Sequence, residues 1–467
     1  MGAAEGGDAL MKERLRSVAV LGAGGKMGSG IAWVALKAMA EQDARENGVP
    51  GSGKFALALI DADPAAFPRL RAYLKSQLLK TAEKAIGDLR TWAKDRADLI
   101  ENADIIDAYV DGAMSLARCE TDAAGAKSAK LVFEAVFEDL GLKKELYARL
   151  KSLCAPDTVF LTNTSSIPIS ILDQSAGLDG RLLGFHFYNP PAVQKLVEMI
   201  SGKRTRPEVT ALGRELGKAF GKLTVPSNDV AGFIGNGHFV RELLFAFRKF
   251  RELRPIHGDA EALLLLNKTT QDFLIRPMGV FQLLDYVGVD VFQMILKVMK
   301  THLDPASADG TVFSDQTLDA LLAAGVRGGQ LGSGEQKDGL FRYERNKITA
   351  VLDVAGLNAG KGIPYVSLGD EARFRKPLES LGALPEGHVP WTVLAKDPGK
   401  KEKLTGYLAN LAKAETPGAR LGREFLDHSR KVGRTLVGTG VAAGDEDVAK
   451  VLMNGFFHLY GPADWTH

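Results

Sequence analysis

Three side chains near the middle of the chain have the types and spacing of an acid–base unit. His186 sits in Gly184-Phe185-His186-Phe187-Tyr188-Asn189-Pro190, with Ser165 upstream in an Asn-Thr-Ser-Ser turn and Glu198 downstream. An imidazole titrates near neutrality, so it can take the proton of an alcohol while hydride leaves the carbon. A carboxylate on its far nitrogen would fix the tautomer and stabilise the imidazolium. A hydroxyl and an amide, here Ser165 and Asn236, would hold the substrate oxygen and stabilise its charge in the reductive direction. The chain has eight histidines, so spacing alone leaves a purely structural role for His186 open.

Upstream lies a hydride-acceptor signal. Gly22-Ala23-Gly24-Gly25-Lys26-Met27-Gly28 follows the apolar run Ser17-Val18-Ala19-Val20-Leu21 and precedes an apolar helical pattern from Ile31 to Met39. Such a loop brings a pyrophosphate to the backbone and to a helix N-terminus. The spacing reads either as Gly22-x-Gly24-x-x-x-Gly28 or as Gly25-x-x-Gly28 with Ala23 in the first place. Asp61 closes the next strand, Phe55 to Ile60, as an acceptor for a ribose hydroxyl that would repel a 2′-phosphate and so favour NAD over NADP. The other reading of Asp61 is the start of an Asp-Ala-Asp-Pro turn.

These groups need a scaffold, and the remaining pattern supplies one. Glu41 to Lys54 reads as a long polar surface loop, and Phe67 to about Arg96 as a basic helical stretch. Lys130–Val136, Thr158–Thr162, Arg181–Phe187 and Lys195–Ile200 read as strands, with a helix over Leu142–Leu153. Strands alternating with helices predict an open, mostly parallel sheet covered on both faces. Past Pro226-Ser227-Asn228-Asp229 the strand signal fades and helical patterns dominate, as at Gly237–Phe250 and Ala260–Phe273, while Pro377–Pro390 reads as loop. Leu274-Ile275-Arg276-Pro277-Met278-Gly279 is echoed in outline by Phe457-His458-Leu459-Tyr460-Gly461-Pro462, as an internal repeat or as two unrelated helix ends.

Composition narrows the class. The 467 residues are 45% hydrophobic and 25% charged with a formal net charge of +2, so neither nucleic acid nor a membrane surface is an expected partner. Cys119 and Cys154 show no metal-ligand spacing and fit a reducing compartment. Met1 to Ala9 lacks the basic-then-apolar pattern of a signal peptide. No stretch reads as a membrane span. The expectation is a cytoplasmic, multidomain enzyme without a metal.

Phe133-Glu134-Ala135-Val136-Phe137-Glu138-Asp139-Leu140-Gly141-Leu142-Lys143, Asn163-Thr164-Ser165-Ser166, the His186 segment and Lys195-Leu196-Val197-Glu198 carry a resemblance to the L-3-hydroxyacyl-CoA dehydrogenases. It continues through Gly232-Phe233-Ile234-Gly235-Asn236 and Arg276-Pro277-Met278-Gly279-Val280-Phe281-Gln282-Leu283-Leu284-Asp285-Tyr286-Val287-Gly288, and covers about residues 15 to 345. It implies a Rossmann-like NAD-binding domain at 1–228 and a helical domain at 229–345. A helical extension at 346–467 would be a degenerate second copy of that helical domain. It implies NAD-dependent oxidation of an L-3-hydroxyacyl-CoA to the 3-oxoacyl-CoA, as in fatty acid β-oxidation, with an acyl-CoA substrate. His186 falls on the catalytic base and Glu198 on its partner; Ser165 and Asn236 fall on the substrate-oxygen contacts. Gly22, Gly24, Gly25, Met27, Gly28, Asp61, Glu138, Lys143 and Asn189 fall to NAD. Lys75 and Lys80 fall in the region meeting CoA, though a solvated helix face explains them equally. The family's arginine after the Asn236 position is replaced by Gly237-His238, and its late lysine segment is distorted to Lys337-Asp338-Gly339-Leu340-Phe341. An internal second copy would permit a monomer, a decayed one a homodimer. The rivals are a dehydrogenase of a free 3-hydroxy acid and a catalytically silent dehydrogenase-like binding protein.

Overall fold

Valine, alanine and leucine fill Ser17–Leu21 because that strand, β1, is covered on both faces. Four of its five residues are buried, as parallel strands between helices require. The computed structural model describes residues 2–303, 310–331, 334–357 and 362–466, and falls into two compact units, Met1–Asp229 and Val230–His467.

The first unit begins with a helix that the sequence reading did not anticipate, α1 (Gly2–Arg14), which packs on the later helix α8. After β1 come α2 (Lys26–Asn47), β2 (Ala56–Ile60), α3 (Phe67–Lys84), α4 (Ile86–Trp92), α5 (Asn102–Ser115), β3 (Ala117–Glu120) and β4 (Leu131–Glu134). The unit closes with α6 (Leu140–Leu153), β5 (Val159–Thr162), α7 (Ile169–Ala176), β6 (Leu182–Phe187), β7 (Leu196–Ser201), α8 (Pro207–Ala219) and β8 (Leu223–Asn228). The sheet order is β3-β2-β1-β4-β5-β6-β7-β8, and the pairs from β3 to β6 are parallel. Those six strands have the doubly wound order 3-2-1-4-5-6 of dinucleotide-binding sheets. At β7 the chain reverses: β6 and β7 are antiparallel, and β8 follows β7 in parallel.

The loop expected over Glu41–Lys54 is corrected by α2, which stays helical to Asn47 and stops at Gly48, at φ +87°. Glutamate, glutamine, alanine and arginine there are good helix formers. Asp43, fully buried, holds the remaining turn by accepting the Gly51 and Ser52 N–H groups at 2.8 and 3.1 Å.

The second unit is mainly helical: α9 (Gly235–His257), α10 (Asp259–Lys268), α11 (Val280–Val287), α12 (Val289–His302) and α13 (Gln316–Ala323). It also carries an antiparallel sheet, β9 (Phe341–Glu344), β10 (Lys347–Leu352) and β11 (Tyr365–Ser367), which the helical periodicity did not reveal. Then follow α14 (Glu371–Ser380), α15 (Trp391–Leu394), α16 (Lys400–Lys413), α17 (Pro417–Gly438) and α18 (Asp445–Gly455). The loop reading of Pro377–Pro390 therefore gives way to helix at its start. The expected division at 345/346 is likewise corrected. It falls in the turn between β9 and β10, and one apolar core runs across it from Phe239 to Trp465. Asp285 anchors this region: it accepts the Leu340 and Phe341 N–H groups at 2.7 and 2.9 Å and the Tyr343 hydroxyl at 2.9 Å. Burial pushes its carboxyl up to about 7 despite those bonds.

The echo noticed in the sequence has a backbone counterpart. α17 begins 182 residues after α9, and at that same offset Ile275 and Phe457 share a left-handed backbone, φ +47° and +57°. Gly279 and Gly461 are each crowded by the residue twelve positions earlier, Asn267 and Ala449. The offset also aligns Arg241-Glu242 with Arg423-Glu424 and Arg248-Lys249 with Arg430-Lys431.

Between α9 and α17 runs a buried polar seam. His238 Nε2 lies 2.8 Å from Ser429 Oγ, Arg276 pairs with Glu242 at 2.8 Å, and His458 is buried nearby. Burial pushes the His238 imidazole down to about 4, with Glu242 opposing and Arg276 and His428 adding to the shift. In the unfolded chain it charges near 6.5, so the unfolded state binds the extra proton first. Stability from this group is therefore complete above pH 6.5 and is lost as pH falls toward 4, by on the order of 3 kcal/mol. Urea titrations at pH 7.5 and 5 should show about 2 kcal/mol of this loss in the wild type and a smaller loss in His238→Asn; equal losses would contradict it.

Candidate active site

His186 is the penultimate residue of β6, and antiparallel pairing sets it directly opposite Glu198 on β7. Cross-strand partners put their side chains on one face within contact range, which converts the sequence spacing into an interaction. His186 Nδ1 lies 3.3 Å from Glu198 Oε2; the carboxylate is fully buried and the imidazole nearly so. Tyr188, two residues on and so on the same face, donates its hydroxyl to Glu198 Oε2 at 2.7 Å, its ring 4.9 Å from the imidazole. Burial and the Glu198 charge hold the Tyr188 hydroxyl well above its usual range, so it stays a proton donor. Sequence reading missed Tyr188; the period of two from His186 was the available signal.

Ser165 stands on the turn after β5, tied to the His186 strand because Asn163 Oδ1 accepts the Phe187 N–H at 2.8 Å. Glu138 organises that turn: its Oε1 accepts Thr164 Oγ1 at 2.5 Å, Ser165 N at 3.0 Å and Ser166 Oγ at 3.2 Å. Lys143, on α6, pairs with Glu138 at 3.0 Å and with fully buried Glu134 at 2.8 Å. Glu134 also accepts Tyr147 Oη at 3.1 Å and Thr162 Oγ1 at 2.7 Å. Burial alone would lower the Lys143 ammonium, but the two carboxylates outweigh it and hold it above the ordinary lysine value. Burial would likewise raise Glu138, but Lys143 and the Thr164 bond bring it below the usual glutamate value. Lys143, expected at the cofactor, is 1% exposed here and bonded to those carboxylates.

The glycine loop closes as a turn, Gly25 N donating to Gly22 O at 3.0 Å, and α2 begins at Lys26 with Met27 and Gly28 in its first turn. Gly22 is left-handed, at φ +73°, and a Cβ on Gly28 would overlap the Gly22 carbonyl. Only glycine lets the helix N-terminus come this close to the end of β1. Asp61, at the end of β2, accepts Gly24 N at 2.8 Å and Asp63 N at 3.0 Å. The bond from Asp63 N is the turn that the sequence offered for Asp61, while the bond from Gly24 N sets the same carboxylate against the glycine loop. A backbone cradle at a helix N-terminus with a carboxylate beside it fits a dinucleotide. Asn189 follows β6 in a cis peptide with Pro190.

Other expected residues lie elsewhere. Lys75 and Lys80 are on the solvent side of α3, whose buried stripe is Leu70, Leu74, Leu78 and Ala82; Lys75 pairs with Asp111 at 3.5 Å. Asn236 belongs to the second unit, in the first turn of α9. Beside it, a Cβ on Gly237 would come within 2.9 Å of the Leu436 Cδ2 methyl on α17, so a larger residue there would have to displace that side chain. Among the described residues no group of acidic, histidine and cysteine side chains could hold a metal. No helix among them is long and apolar enough to cross a membrane.

This geometry can be set against known proteins. The family described as 3-hydroxyacyl-CoA dehydrogenase, NAD binding domain, matches residues 54–230. The human protein named hydroxyacyl-coenzyme A dehydrogenase, mitochondrial, is 31% identical over 283 residues, 60% of this chain and 79% of its own length. The fatty acid oxidation complex subunit alpha of Shewanella sp. (strain MR-7) is 28% identical over 71% of this chain, which spans 46% of that protein. Among solved structures, FadB2 of M. tuberculosis aligns with a TM-score of 0.51 and 28% identity over 70% of this chain and 99% of its own. The 3-hydroxybutyryl-CoA dehydrogenase of Escherichia coli K12 aligns with a TM-score of 0.61 over 96% of this chain and 90% of its own; at 22% identity it shows shared fold. A doubly wound sheet, a glycine cradle suited to NAD and a histidine–glutamate pair thus coincide with a relative matched over most of its length, and the chain belongs to the 3-hydroxyacyl-CoA dehydrogenase family of NAD-dependent oxidoreductases.

Proposed function

We propose that the protein oxidises an L-3-hydroxyacyl-CoA to the 3-oxoacyl-CoA, with His186 as the general base. The observation that carries this reading is the cross-strand pair of His186 and fully buried Glu198, Nδ1 to Oε2 at 3.3 Å. With Nδ1 turned to the carboxylate and donating to it, Nε2 is the nitrogen that takes the substrate hydroxyl proton. Glu198 fixes the tautomer and offsets the imidazolium charge; Tyr188, donating to the same carboxylate, fixes its rotamer. Ser165, held by the Glu138 turn, hydrogen-bonds the substrate oxygen and stabilises its charge in the reverse direction. NAD, when bound, accepts the hydride from C3. Gly22, Gly24, Gly25, Met27 and Gly28 would cradle its pyrophosphate, Asp61 would accept its ribose hydroxyl, and Asn189 and Glu138 would hold it further along.

The repeat supports a second inference about architecture. α17 and α18 read as a decayed copy of α9 and α10, in which Gly418 replaces Asn236 and no substrate amide remains. Their packing within one chain would supply a contact otherwise made between two subunits.

The substrate class is tested by comparing acetoacetyl-CoA with acetoacetate, each with NADH. Binding energy from the remote CoA moiety should raise kcat/KM for the thioester by at least about 10³-fold. Equal values would favour a free hydroxy acid, and NADH binding without turnover of either would favour a silent binding protein.

A further inference from the structure

The eight residues between the His186 strand and the Glu198 strand are fastened by a lysine from outside them. Lys222 lies between Gly221, at φ +63°, and β8. Its ammonium donates to the carbonyls of Pro191 and Gln194, both at 2.6 Å. Inside the loop the Val193 and Gln194 N–H groups both return to Pro190 O, at 3.0 and 2.9 Å. The two pinned carbonyls therefore belong to one compact turn. That turn also rests on α2: a Cβ on Gly30 would come within 2.8 Å of Pro191 Cδ. The loop thus bridges the histidine–glutamate pair and the helix that follows the glycine cradle. Among the described residues no carboxylate forms an ion pair with Lys222, and burial with the nearby Lys37 charge pushes the ammonium down to about 8. A half-buried cation without a counter-ion costs stability unless its hydrogen bonds compensate. Here it is spent on two main-chain oxygens, a use better suited to fixing a backbone than to general stability.

We propose that Lys222 is a positioning residue, pinning the 188–195 loop against α2 and thereby holding Asn189 in place at the cofactor site. The proposal rests on the reading that the glycine cradle and Asn189 receive NAD. It is tested with Lys222→Met, Lys222→Gln and Lys222→Arg, using backbone hydrogen exchange of residues 188–195 and NADH binding followed by fluorescence. Lys222→Met should speed exchange in that loop and weaken NADH binding about tenfold, the scale of one lost charge-assisted hydrogen bond. Its kcat at saturating NADH should stay within about threefold, since the loop would act on binding rather than on proton transfer. Lys222→Arg, which keeps charge and donors, should restore both readouts. If Lys222→Met does not fold, Lys222→Gln is read in its place with the same expectations. Unchanged NADH affinity overturns the proposal, whether or not the loop exchanges faster. So does exchange that rises across the whole sheet, or a loss confined to kcat. Failure of the wild-type protein to bind NADH would contradict the NAD reading itself, while loop exchange would still report whether Lys222 pins the segment.

Discussion

Replacing His186 with glutamine should lower kcat for acetoacetyl-CoA reduction by about 10³-fold or more while NADH affinity changes only a few-fold. Glutamine keeps much of the volume and a hydrogen-bonding end, so the β6–β7 pairing should survive. What it lacks is a group that can both donate and accept a proton near neutral pH. The glycine cradle lies on β1, β2 and α2, and glutamine leaves Asn189 and its loop unchanged, which is why affinity and turnover should separate. Stopped-flow reduction and fluorescence titration measure the two quantities. A mutant with near wild-type turnover would remove His186 from the mechanism.

Glu198→Gln should be the next most damaging change, with kcat reduced about 10²- to 10⁴-fold and a fold that still melts cooperatively. Glu198 is fully buried and receives both His186 Nδ1 and the Tyr188 hydroxyl on one oxygen. An amide can present its N–H to Nδ1, which would reverse the tautomer and leave Nε2 protonated before any substrate arrives. Tyr188→Phe should cost much less, because the carboxylate and the imidazole remain. Steady-state kinetics of the two mutants check this order. A Glu198→Gln enzyme as active as Tyr188→Phe would show that the carboxylate only fills space.

Much of the first unit was legible before its coordinates. β1, the glycine loop, β2 and Asp61 follow one another in an apolar-run, glycine, helix, acidic pattern whose physical cause is local. The His186–Glu198 contact was legible only as a resemblance, because a spacing of twelve residues becomes a contact through antiparallel register, which spacing does not specify. The misplaced loop at Glu41–Asn47 shows the limit of reading polarity as loop: those residues continue a helix, and Asp43 inside it is fully buried.

The second unit was harder because its decisive contacts are remote in sequence. Gly237 looked like a departure; it packs against Leu436, some 200 residues away on α17. His238 is explained by Ser429 on that same helix. The short sheet of β9 to β11 escaped notice because three brief strands leave little periodic signal. The echo ending in Gly461-Pro462 was visible, but its register was not. Only with α9 and α17 in place does the constant offset of 182 residues tie helix starts, left-handed residues and crowded glycines together.

The central claim is hydride transfer to C3 of an acyl-CoA with a proton supplied by His186. Its most direct test is to incubate the wild-type protein with acetoacetyl-CoA and NADH carrying deuterium at C4, and to analyse the product by mass spectrometry and chiral chromatography. The account predicts L-3-hydroxybutyryl-CoA with one deuterium at C3 when the transferred face is labelled. Bound NADH that is not consumed, or product without deuterium at C3 from both C4-labelled epimers, would contradict it.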